Sequence, residues 1–237
     1  MRSVYLLTLR QLSGRWRLAI MAVLAAMPVV ITALSLADET AGSVTDFEKA
    51  ILSAMLAGSI APLVVLAIAA AAFGNEVEDR TLANLTISPV PRWRIALPKL
   101  LATITIAAPF IALSAFLTAH VAFIQDWTAT IAVTVAVIVG VAMYASMFVW
   151  LGLVSTQAIG LGLLYIVLWE GFFSGFIAGV RLLSIRFYAI ALMHAMDPRR
   201  FATLNHISAS TAVIVAAAVI GGFMMLSVRR LRTMDVP

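Results

Sequence analysis

Apolar residues run through this chain in long blocks separated by short polar joints, and the blocks predict helices that cross a bilayer. Residues 18–36, 51–73, 100–121, 128–151 and 207–228 each supply enough consecutive apolar positions for a span. A further run starts at Ala158 and is interrupted at Trp169-Glu170-Gly171, at Ser174-Gly175 and at Gly179. It reads as a span over residues 158–176 that turns back within the outer half of the membrane, followed by an amphipathic stretch, 180–196, returning to the surface. Non-helical backbone at such depth has to be buried in protein or line water. Ahead of the first span, Tyr5, Leu9, Leu12 and Trp16 recur at i, i+4, i+7 and i+11, with Arg2, Arg10, Arg15 and Arg17 able to reach lipid phosphate. Residues 1–17 therefore predict a helix lying in the membrane interface. Pro28 and Pro109 predict bends, and Gly140, Ala142, Ala145 and Ser146 predict close helix packing in the fourth span.

The polar joints carry as much information as the spans. Residues 37–49 hold Asp38, Glu39, Asp46 and Glu48 against one lysine, and Phe123-Ile124-Gln125-Asp126-Trp127 predicts a tight turn with an interfacial tryptophan. The longest charged interruption in the first two thirds of the chain is FGNEVEDRTLANLTISPVPRWRIALPK, from Phe73 to Lys99. It opens on Glu76, Glu78 and Asp79, continues through Thr81 as a possible helix N-cap, and offers Leu82 and Leu85 as an apolar pair at i, i+3. Pro89 and Pro91 stop that short helix, and Arg92, Trp93, Arg94 and Lys99 bring the chain back to lipid headgroups.

Composition narrows the class. The 237 residues are 63% hydrophobic and 11% charged with a mean hydropathy of +1.06, too few charges to cover a water-soluble globule of this size. The net charge of +5 does not indicate nucleic acid, because the basic residues sit at the ends of apolar runs, where they act as topology signals. Eleven Lys and Arg fall on the side of both termini and five on the other, which places both termini in the cytosol. The residues between 171 and 207 carry four of the five opposing cations, as a packed external element would. The absence of cysteine excludes disulfides and thiolate metal sites. No internal repeat or linker divides residues 1–237, so one domain is expected.

The pattern Phe73-Gly74-x-Glu76-x-Glu78-Asp79-x-Thr81-Leu82-x-x-Leu85, followed by Pro89-Val90-x-Arg92 and Lys99, resembles the coupling segment of the type-2 ATP-binding-cassette (ABC) exporter permeases. Arg80 stands where that family most often has glycine, and Pro91 where a serine often precedes the arginine. The resemblance implies an all-α integral membrane fold with six spans and a short cytosolic coupling helix within residues 74–99, to which the residue pattern adds the N-terminal interfacial helix and the re-entrant outer helices between spans five and six. It implies that Glu76, Glu78, Asp79, Thr81, Leu82, Leu85, Pro89 and Arg92 engage a groove on a separate ATPase subunit. It further implies a 2+2 complex with a second permease copy, in a bacterial or archaeal inner membrane, acting in export; the few charges and many aliphatic, Phe and Met side chains of the spans favour a hydrophobic or amphipathic substrate.

Other chemistry finds little support. No Gly-rich loop ending in Lys-Ser/Thr is present, so ATP and Mg belong to the partner, and neither cofactor nor ATPase activity is expected in this chain. His120, His194 and His206 lie on separate segments without ligand spacing, and the simpler reading is local hydrogen bonding. Gly171-x-x-Ser174-Gly175 lacks the spacing and the base of an intramembrane serine protease. A non-pumping membrane scaffold remains an alternative, as does an ion-coupled transporter, for which paired intramembrane carboxylates would be the signature. Glu170 alone lies inside an apolar run, with Arg181 and Arg186 as the nearest cations in sequence. Three roles are open to it: an ion pair fixing the turn, a carboxylate reaching water, or a group that binds cargo or a proton.

Overall fold

The computed structural model describes residues 2–37, 47–78, 91–124, 126–174, 181–201 and 207–233, and these are helical apart from short connections, with no strand among them. Helix α1 is Arg2–Leu12 and α2 is Arg15–Ala37. Helix α3 joins a wide-wound π-helical Glu48–Ile60 to an α-helical Ala61–Glu78, and α4 is Trp93–Ala122. Helix α5 is Trp127–Val154, and α6 runs from Ala158–Leu164 into a second π-helical stretch, Tyr165–Phe173. Helices α7 and α8 are Ile185–Met196 and Ala209–Thr233. Five helices among the described residues, α2, α3, α4, α5 and α8, are long and apolar enough to cross a membrane.

The bundle is built around α5. It packs against α3, α4, α6, α7 and α8, and it is apolar on every side, as a helix surrounded by others must be. Asp126 caps its start by accepting the Ala129 N–H at 3.0 Å. At its other end Gly152 lies so close to α3 that a Cβ there would sit 2.7 Å from the carbonyl oxygen of Ala70. A Cβ added at Gly140 would lie an ordinary 3.5 Å from the Ala189 Cβ on α7, which agrees with the small-residue face expected there. The hub is 61% buried over its most apolar stretch, against 22% for α2 and 17% for α8, so those two helices turn most of their surface outward. On α2 the buried positions are Met21, Ala25, Pro28 and Thr32, one narrow stripe at i, i+4, i+7 and i+11. The Thr32 hydroxyl donates to the Pro28 carbonyl at 2.7 Å.

Several boundaries differ from the sequence expectation. The interfacial helix ends at Leu12, not residue 17; Ser13-Gly14 interrupts it, and Trp16 belongs to the first turn of α2, with 83% of its surface exposed. Its inner face is nevertheless Tyr5, Leu9 and Leu12, joined by Thr8, and Tyr5 donates to Thr105 of α4 at 3.0 Å. Helix α4 starts at Trp93, seven residues before the expected span, with Pro98 inside it. Thirty residues at ~1.5 Å each exceed the ~30 Å hydrocarbon core, so α4 continues beyond it. The run from Ala158 is not broken at Trp169-Glu170-Gly171 either: it stays helical to Phe173 by widening its turns.

Candidate functional site

Two places collect the polar residues that an apolar chain keeps at a cost. The first is the joint between α3 and α4, at the roots of the Phe73–Lys99 stretch. Here α3 is helical through Glu78, and α4 begins after Arg92, whose carbonyl accepts the N–H groups of Ile95 and Ala96 at 3.1 Å each. Arg92 is half-buried in that opening turn. The backbone of Glu76 and Glu78 belongs to α3, whereas Asp79, Thr81, Leu82, Leu85 and Pro89 lie outside the described residues. Lys99, expected at the lipid headgroups, is 1% exposed. Its ammonium donates to the Ala72 carbonyl and lies 4.5 Å from the centroid of the Phe73 ring. The two helices on either side of the charged stretch are thus fastened to each other.

The second place is Glu170, which is completely buried. Its Oε1 accepts the hydroxyls of Tyr144 and Tyr165 and the backbone N–H of Ile185, each at 3.0 Å. Its Oε2 accepts the Ser184 hydroxyl. A carboxylate offers about four acceptor positions, two on each oxygen, so these donors crowd Oε1 more than Oε2. Wide winding brings Tyr165 and Glu170, five residues apart, onto one face. Ser184 is the N-cap of α7 and Ile185 its first residue, which puts the carboxylate at the positive end of that helix. One side chain therefore joins α5, α6 and the start of α7.

Neither predicted arginine bonds the carboxylate directly. Arg186 donates to Ser174 Oγ at 3.0 Å, and Ser174 in turn donates to the backbone carbonyl of Glu170 at 2.7 Å. Arg181 donates to the Ser174 carbonyl at 3.4 Å. Ser174 is thus a bridge to the cations. Gly58 lets Arg186 lie against α3, since a Cβ there would come within 2.7 Å of the arginine Cδ.

Helix α3 contributes a carbonyl as well. The Ala61 N–H goes to Leu56 and Pro62 has no N–H, so neither ladder donor serves the Ala57 oxygen. The Tyr144 hydroxyl lies 3.4 Å from it, and its single proton serves either Ala57 or Glu170. Tyr144, Tyr165 and Ser184 were not expected from the sequence. The available signal was a phenol five residues before the lone carboxylate and another in the middle of an apolar span.

The histidines take local partners: His120 stacks on Phe116 with centroids 5.8 Å apart, and His194 Nδ1 lies 3.0 Å from the Phe201 carbonyl. His206 lies outside the described residues.

The five long apolar helices among the described residues, packed around a buried hub, are the arrangement of a multi-pass membrane protein. A family model described as ABC-2 family transporter protein matches residues 9–192. The chain belongs to that family. No curated protein matches it. Membership in the ABC-2 family makes this a permease-type membrane subunit and implies pairing with an ABC ATPase subunit. The matched region contains α2 through α6, both tied places and most of α7.

Proposed function

We propose that this ABC-2 chain is the transmembrane subunit of an exporter, driven by ATP hydrolysis on a separate subunit and moving a hydrophobic or amphipathic substrate outward. The observation that carries the reading is the family match over residues 9–192, which encloses the charged Phe73–Lys99 stretch at the expected position after the second membrane helix. In this reading the Leu82/Leu85 pair sits in a socket on the ATPase. When ATP closes the partner dimer, the segment moves and α3 and α4 tilt with it. Helix α6 is the fifth of six crossings, α7 is the re-entrant outer helix, and both termini are cytosolic. Two copies of the chain assemble with two ATPases in the plasma membrane, where α2 and α8 have apolar surface to offer. Nucleotide and Mg stay on the partner.

Expression of the tagged chain with candidate ABC ATPases, followed by purification in mild detergent, tests this. A stoichiometric ATPase whose hydrolysis rises with lipophilic substrates in proteoliposomes is the expected result. Purification without any ATPase would overturn the reading, and a stable complex that never transports would make the chain a scaffold.

A further inference from the structure

Lys99 is the most deeply buried cation among the described residues, and nothing about a membrane span calls for it there. A lysine near a helix end normally snorkels to the interface. Here its helix neighbours Ile95, Ala96 and Leu100 are buried, and its stem runs into protein toward α3. The ammonium is received by two consecutive residues of that helix: the carbonyl of Ala72 and the ring face of fully buried Phe73. The Lys99 carbonyl in turn accepts the Thr103 hydroxyl at 3.0 Å, fixing the following turn of α4. A cation taken out of water is held only where its new partners are well placed, so the joint has one favoured geometry.

That joint lies at the base of both arms leading to residues 79–90. We propose that Lys99 is a positioning residue that fastens α3 to α4, so that force applied to the intervening segment moves both helices as a single lever. The inference rests on the proposed engagement of that segment with an ATPase, and the lever is its mechanical counterpart. Without the tie, a push on the segment would splay the two arms and dissipate before reaching the bundle.

The test uses the full chain in nanodiscs, alone and with its ATPase. Because the chain has no cysteine, nitroxides can be placed at Gly74, where an added Cβ meets nothing within 4 Å, and at exposed Trp93. The wild-type pair should give one narrow distance distribution, with and without ATP and vanadate. Lys99→Met should broaden or split it, and Lys99→Arg, which keeps a cation for the carbonyl and the ring, should restore it. In the complex, Lys99→Met should leave ATP hydrolysis running but cut the ATP-driven change in maleimide reactivity of a cysteine at Trp127 on the order of tenfold. A Lys99→Met distribution as narrow as wild type, or an undiminished response at Trp127, would overturn the lever. If Lys99→Met does not insert, Phe73→Leu, which keeps apolar bulk and removes the ring, is judged by the same distances. Failure of wild type to bind an ATPase would instead overturn the coupling reading, and the spin-label distances of the chain alone still decide the tie.

Discussion

Glu170 shows how a single side chain can join three helices. Its four donors come from three elements; without the carboxylate Tyr144 still has the Ala57 carbonyl, whereas Tyr165, Ser184 and the Ile185 N–H lose the acceptor they share. Glu170→Gln replaces one acceptor oxygen by an NH2 that faces donors, and each buried donor left unpaired costs about 1–3 kcal/mol. A fall in melting temperature of the detergent-purified subunit is expected, larger than for Tyr144→Phe, which removes one donor at about 1 kcal/mol. The charge exchange Glu170→Arg with Arg186→Glu should not restore stability. Arg186 reaches the carboxylate's residue only through Ser174, and the donors around the carboxylate are hydroxyls and an amide that a guanidinium cannot satisfy. Rescue by that exchange, measured by the same melt, would mean that the ion pair is the controlling contact after all.

At the scale of elements, two glycines on one helix make a contrasting pair. A methyl at Gly152 would push 2.7 Å from a backbone oxygen of α3, which no rotamer change can relieve, whereas Gly140 has ordinary clearance. Gly152→Ala should therefore cost about 1–3 kcal/mol as overpacking, and Gly140→Ala close to nothing, by thermal melts of the two variants. The apolar blocks made α2 to α5 and α8 legible in the sequence, because hydrocarbon thickness dictates their length. Their ends were less legible: α4 begins at Trp93 because protein, not lipid, surrounds Ile95, Ala96 and Lys99. The run at Trp169-Glu170-Gly171 was expected to break because a carboxylate and a glycine oppose a lipid-facing helix. Tertiary donors from α5 and α7 satisfy that carboxylate, and the wide winding keeps the backbone helical. Glu170 could be found from its place inside an apolar run. Its partners Tyr144 and Ser184 could not, since only the fold brings residues 26 and 14 positions away to it.

For the molecule as a whole, the spans, the charge asymmetry and the family place one requirement on the two long polar joints: they must face opposite sides of the membrane. The joint at residues 37–49 follows the first span and is acidic, while the Phe73–Lys99 stretch follows the second and carries Arg80, Arg92, Arg94 and Lys99. The proposed orientation, in which positive residues are retained on the cytosolic side, puts the first joint outside and the second inside, where an ATPase could reach Leu82 and Leu85. Leu82→Asp or Leu85→Asp should then leave the subunit inserted but lower ATPase co-purification. A charge forced into an apolar socket costs several kcal/mol unless it escapes to water, and undiminished co-purification of both variants would remove the socket. That result has meaning only if the segment is cytosolic, and the cysteine-free chain allows this to be measured directly. Single cysteines at Ser43 and Thr86 should react with an impermeant maleimide from opposite faces: Ser43→Cys in intact cells, Thr86→Cys only in inverted vesicles. Labelling of both from outside would invert the charge argument and leave the ATPase no access to the segment, whatever the family.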